Sequence, residues 1–138
     1  MKGSTRVFDS WAILAWLLEQ PGHEHVRMLL EEAEQESIQI LMSWINVGEV
    51  YYMAVRKKGP HAAETFLARL PELPIRLMLP SDQDFIEAAR LKATRRISYA
   101  DGFAAALAMK YQAPIVTGDP EMLGFGDVLT VEWIGGPV

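Results

Sequence analysis

Five short apolar runs alternate along the chain with helical segments, and that alternation limits the fold more than any other feature. "TRVF" (5–8), "IQILMS" (38–43), "IRLML" (75–79), "PIVT" (114–117) and "VLTVEWI" (128–134) read as strands. Between the first two lie "SWAILAWLLEQPG", closed by Pro21-Gly22, and "HEHVRMLLEEAEQES". In the latter Val26, Leu29, Leu30 and Ala33 recur at helical spacing with acids on the other face. A helix from about Trp44 to Lys58, stopped by Gly59, and a shorter one in "HAAETFLARLPEL" fill the next interval. Ser81 and Asp84 form a capping box for a helix whose apolar face is Phe85, Ala88, Ala89 and Leu91. Ser98 then opens the alanine-rich "SYADGFAAALAMKY". Strands separated by helices of about ten to fifteen residues make βαβ units, which place helices on both faces of a parallel sheet. The expected class is α/β, a mostly parallel central sheet of about five strands in one domain over 1–138.

Composition narrows the function. Half of the 138 residues are hydrophobic and 22% are charged, the balance of an ordinary globular protein with a real core. The longest apolar runs fall well short of a membrane span. The N-terminal "MKGSTRVF" has no apolar signal-peptide core, which predicts a cytoplasmic protein. Without cysteine there are no disulfides and no thiolate metal sites, so any metal must be held by oxygen or imidazole. A net charge of −5 argues against a charge-driven DNA-binding module. It leaves a nucleic-acid substrate open, because a metal ion can screen clustered carboxylates.

Four acids stand alone in otherwise uncharged, core-like segments. Asp9 is the only charged residue from Val7 to Leu18, and Glu49 the only one from Ile38 to Val55. Asp101 is the only one from Ile97 to Met109, and Asp119 the only one from Ala113 to Pro120. In a parallel sheet the carboxyl ends of the strands share one edge, where ligands bind. Asp9, Glu49 and Asp119 each follow a strand; Asp101 begins the helix that leads into the fourth. If the four converge, mutual repulsion raises their pKa values and destabilises the fold unless a cation neutralises them. An all-oxygen site of this kind suits Mg²⁺ or Mn²⁺.

A plainer reading stands beside that one. Asp119 before Pro120 suits a helix N-cap, Ser98-x-x-Asp101 is a capping box, and Asp9 can cap the first helix. Glu49 does not fit this account. It lies beyond the first turn among Val47, Val50, Tyr51 and Met53, where an unpaired buried carboxylate is destabilising. Its own plain explanations are a surface-facing position or a distant arginine.

"VFDSWAIL", "SWINVGEVYYMAVRKKG", "ISYADGFAAALA" and "IVTGDPEM" resemble, in order and spacing, the four acidic motifs of PIN-domain nucleases. The resemblance runs from Arg6 to Trp133. It implies a PIN-like three-layer α/β/α fold and a metal-dependent endoribonuclease using Mg²⁺, or Mn²⁺ in its place. Short PIN proteins of this kind are most often VapC-type toxins, so it also implies a cognate antitoxin, an RNA substrate and a homodimer. The metal-holding and catalytic quartet would be Asp9, Glu49, Asp101 and Asp119, with Thr117 in the family's Thr/Ser-x-Asp position ordering the metal shell. The apolar "WAILAWLL" would then pack at a dimer interface or receive an antitoxin segment. A catalytically silent PIN-like module that binds RNA or protein is the alternative.

Substrate phosphates need cations near these acids. The candidates are Arg56, Lys57 and Lys58 at one helix end, and Arg90, Lys92, Arg95 and Arg96 before the Asp101 helix. Interaction with a helix dipole is the commoner reason for such residues. Glu121 could add a ligand or be solvated, and the solvated reading is preferred; Ser10 could touch the site or cap the helix, and the cap is preferred. His23, His25 and His61 lack metal-ligand spacing and read as surface residues, while Trp11, Trp16 and Trp44 read as core or dimer contacts. A haloacid-dehalogenase-type phosphatase would need an aspartate where Trp11 stands. A receiver domain would need paired acids near its first strand.

Overall fold

The first strand, β1 (Thr5–Phe8), lies at the middle of the sheet. The computed structural model describes residues 4–137, so positions 1–3 of the N-terminal reading fall outside the described residues. After β1 come α1 (Ser10–Leu17), α2 (His23–Glu34) and β2 (Gln39–Ser43). α3 (Trp44–Lys58), α4 (Pro60–Arg69), a 3-10 turn (Leu70–Glu72) and β3 (Arg76–Met78) follow. α5 (Asp82–Thr94), α6 (Tyr99–Tyr111), β4 (Ile115–Thr117), a 3-10 helix (Pro120–Phe125) and β5 (Val131–Trp133) complete the order. Every pairing is parallel and the strand order is β3-β2-β1-β4-β5.

Side chains alternate between sheet faces along each strand, and two cores result. Phe8, Ile40, Met42 and Val116 face the layer of α1 to α4, where they meet Ile13, Val26, Val50 and Phe66. Val7, Leu41 and Ile115 face the opposite layer, against Leu91, Ala104, Ala105, Met122 and Phe125. This is the expected three-layer α/β/α arrangement. Among the described residues, no helix is long and apolar enough to cross a membrane.

Several local expectations need revision. Within the apolar "WAILAWLL" segment, Ala12, Ile13 and Leu14 are buried in this chain's own core beside Val26, Leu29 and Val47, while Trp11, Trp16, Leu17 and Leu18 are only partly buried. Of the two readings of Trp44, core or dimer contact, its 40% exposure rules out the core, whereas Trp11 and Trp16 pack partly buried against the core. In α5, Ala88 and Leu91 are buried, but Ala89 is exposed and Phe85 sits edge-on to Phe103 near the surface. Gly102 explains how closely α5 and α6 approach. A Cβ there would lie 2.8 Å from the backbone carbonyl oxygen of Ala88.

Candidate functional site

β1 pairs with β2 on one side and β4 on the other, so the sheet reverses its winding between β1 and β4. Crevices of ligand-binding α/β proteins open at the carboxyl ends of strands at such a point. Phe8 and Val116 are register partners across it, and one residue further on stand Asp9 and Thr117. The Thr117 hydroxyl donates to Asp9 Oδ2 and accepts from the backbone N–H of Asp119 at 3.0 Å. One buried hydroxyl therefore couples the ends of two strands. Asp9 Oδ1 accepts from the N–H of Ala12 at 3.0 Å, so Asp9 caps α1 as the plainer reading held.

Asp101 reaches the same edge by topology. α6 precedes β4 and runs back across the sheet, which places its N-terminus at the carboxyl edge. The Ser98 capping box is complete in both directions, at 3.1 and 3.3 Å, and holds Asp101 in the first turn. Asn46, fully buried on α3, donates its amide to the carbonyl of Ala100 at 3.1 Å and ties the Glu49 helix to this turn. Its Oδ1 is buried with no partner among the described residues. Asp119 caps the 3-10 helix through the N–H of Glu121 at 3.0 Å. Asp9 and Asp119 are helix caps, Asp101 is the capping-box partner of Ser98, and all three lie at one edge.

The tightest group is Asp101, Asp119 and Glu121, with one carboxylate oxygen from each within 4.8 Å of the others. Glu121 is exposed, as its solvated reading required, yet it joins this trio. Asp9 and Glu49 stand beside it: the charges of Asp119 and Glu49 act on Asp9, and those of Asp119 and Asp9 act on Asp101. Glu49 accepts from the Ser10 hydroxyl and, at 3.5 Å, from the Tyr52 hydroxyl. Ser10 is therefore not the cap of α1, because Asp9 fills that place, and its hydroxyl turns to Glu49 instead.

Burial and crowding raise these pKa values. Burial first, then the nearby acids, push Asp9 up to about 7 against the hydrogen bonds from Thr117 and Ala12. Burial, the charge of Asp119 and a hydrogen bond with Glu121 push Asp101 up to about 8. Asp119 is raised as well, by burial and by Glu121. A group of oxygen donors that holds protons near neutrality, with no lysine or arginine paired into it among the described residues, fits a hard divalent cation. Asp101, Asp119 and Glu121 form an acidic cluster that could hold a metal ion, with Asp9 and Glu49 adjacent.

The basic candidates separate. Arg56, Lys57 and Lys58 are exposed in the last turn of α3. Arg95 is occupied: its guanidinium binds Gly124 O at 2.9 Å and Asp127, and lies over the Phe125 ring at 4.9 Å. It fastens the segment after Asp119. Lys92 donates to Ile97 O, Arg90 pairs with Glu87, and Arg96 is exposed. His23 is half-buried, His61 is exposed, and exposed His25 pairs with Glu132, which Arg6 also binds. Sequence reasoning overlooked Asn46 and Tyr52, although both lie within one turn of Glu49.

The PIN domain family model matches residues 6–127. Among solved structures the chain is similar to VapC20 from Mycobacterium tuberculosis, a sarcin-ricin-loop-cleaving toxin. There the TM-score is 0.74 at 17% identity, covering 88% of this chain and 95% of that one. It is also similar to DNA-bound VapBC from Salmonella typhimurium, with TM-score 0.72, 15% identity and coverage of 94% and 97%. A third is VapBC-5 of Mycobacterium tuberculosis, from the VapBC family of toxin–antitoxin systems, with TM-score 0.60, 16% identity and coverage of 95% and 98%. No curated protein matches the chain. At such identities the likeness to solved structures is one of fold. The family match is of another kind, since its span takes in all four isolated acids and the strands that bring them to one edge: the chain belongs to the PIN-domain family.

Proposed function

We propose that this chain is a Mg²⁺- or Mn²⁺-dependent endoribonuclease that hydrolyses RNA phosphodiester bonds, and that it is the toxin of a toxin–antitoxin pair. The observation that carries this reading is the meeting of Asp101, Asp119 and Glu121 within 4.8 Å, beside buried Asp9. Asp9, Glu49, Asp101 and Asp119 would hold the metal, with Glu121 as a further oxygen donor. Such an ion, when bound, acidifies water for attack on phosphorus and offsets charge on the leaving oxygen.

The chain's own residues set the conditions. Thr117 and Ala12 hold Asp9, Ser10 holds Glu49, and the Ser98 box holds Asp101. Asp9 and Asp101 carry protons near neutrality, so cation binding displaces protons and tightens as pH rises. Exposed Arg56, Lys57, Lys58 and Arg96 supply the cations for RNA, whereas Arg95 acts by fixing the segment after Asp119.

The toxin assignment is supported by the likeness to VapC20 and to VapBC proteins. With it go a cognate antitoxin, a homodimer and a cytoplasmic location; light scattering after gel filtration tests the dimer. The nuclease is tested by incubating total RNA with Mg²⁺ or Mn²⁺, beside EDTA and Asp101→Asn controls. Cutting that vanishes in both controls is the expected result. Intact RNA in every lane, with Mn²⁺ still raising the melting temperature, would favour the catalytically silent module.

A further inference from the structure

On α3, Glu49, Tyr52 and Arg56 follow one another at three and four residues and so line one face of the helix. The Tyr52 hydroxyl lies 3.5 Å from Glu49 Oε2, and the Arg56 guanidinium lies over the Tyr52 ring, 5.1 Å from its centroid. Tyr52 is 45% exposed. The row begins at the acid site and leads out to solvent. From Glu49 to Arg56 it covers about 10 Å, the axial length of about three stacked nucleotides.

On α2, Arg27 pairs with Glu24 and Glu31, and on α5 Arg90 pairs with Glu87. Arg56 has no carboxylate partner among the described residues, and α3 carries no acid after Glu49. Among the described residues, Arg56, Lys57 and Lys58 stand in no ion pair at the end of the row that starts at the acids of a chain of net charge −5.

Building on the ribonuclease reading, we infer that Tyr52 and Arg56 form a platform for single-stranded RNA, the ring stacking a base next to the cleaved bond and the guanidinium binding a phosphate. An exposed ring accepts any base, and a cation on its face adds the backbone contact. Base-paired RNA cannot offer a free base face, so the platform selects unpaired segments.

Fluorescence anisotropy with a labelled, randomised single-stranded oligoribonucleotide, and with a labelled duplex of the same length, tests this in EDTA. The wild type should bind the single strand more tightly. Tyr52→Ala should weaken that binding about tenfold and abolish the preference, while Tyr52→Phe retains both. Arg56→Ala should lower the salt slope by about one, and Arg56→Lys should restore it. Melting temperatures close to wild type establish that the variants fold. Single-strand affinity unchanged in Tyr52→Ala, or no binding by the wild type, would overturn the platform and leave the pair a helix-surface contact. Parallel Mn²⁺ cleavage of total RNA separates the two readings. Cutting with an indifferent Tyr52 removes only the platform, whereas Tyr52-dependent binding without cutting removes only the nuclease.

Discussion

Ser10 donates to Glu49 and Thr117 donates to Asp9, so each acid outside the tight trio is held by a neighbouring hydroxyl. Thr117→Val keeps the shape and removes the donor. Asp9 then loses a contact that lowers its pKa, and the N–H of Asp119 loses its acceptor. The variant should be about 1–3 kcal/mol less stable by urea denaturation at pH 7. Glu121→Gln removes one oxygen charge from the trio but lies on the surface. It should leave stability within about 0.5 kcal/mol while weakening Mn²⁺ binding, measured by titration calorimetry, by tenfold or more. The four acids were legible because each stands alone in an apolar segment, and charge in such a segment needs a reason. Glu121 was legible only as one of two readings, because the sequence does not show that the 3-10 turn after Asp119 swings it back toward Asp101. Of the two readings of Ser10 the preferred one failed, because a serine before a helix ordinarily caps it and here Asp9 had already taken that role.

At the scale of elements, the site depends on how firmly the α6 N-terminus is seated. Gly102→Ala would press a methyl against the Ala88 carbonyl at 2.8 Å, forcing α5 and α6 apart. A loss of about 1–3 kcal/mol in stability is expected, with Mn²⁺ affinity falling because Asp101 moves with its helix. Chemical denaturation and a Mn²⁺ titration measure the two effects. The strands and helices were legible to within a few residues, because period-two and period-3.6 patterns seldom overlap in this chain and Gly, Pro and Ser mark most boundaries. What escaped was tertiary. That Ala12 to Ala15 of "WAILAWLL" pack into this chain's own core while Trp11, Trp16 and Leu17 stay partly open is set by α2 and α3, and nothing local shows that Arg95 spends its guanidinium on Gly124 and Asp127.

Across the whole molecule, the raised carboxylates make stability depend on pH in a direction opposite to that of salt-bridged acids. Asp9 and Asp101 bind protons more tightly when folded, at about 7 and about 8 against a reference of 3.8. Their contribution is therefore fully present below about pH 4 and is lost as pH rises toward 8. Glu24, Asp127 and Glu132 shift the other way, so the site's share is read as a difference between proteins. Without metal, Asp101→Asn should melt higher than the wild type at pH 8, and the gap should close at pH 4. A divalent cation reverses the order above neutrality by binding only the folded wild type; at a hundred times Kd that is worth about 2.7 kcal/mol. The most direct measurement is a Mn²⁺ titration of melting temperature at pH 7.5 on the wild type and Asp101→Asn. If the acids form one cation site, the wild type rises by several degrees while the variant stays flat. A wild type indifferent to Mn²⁺, or a variant that rises equally, would return the aspartates to being helix caps and nothing more.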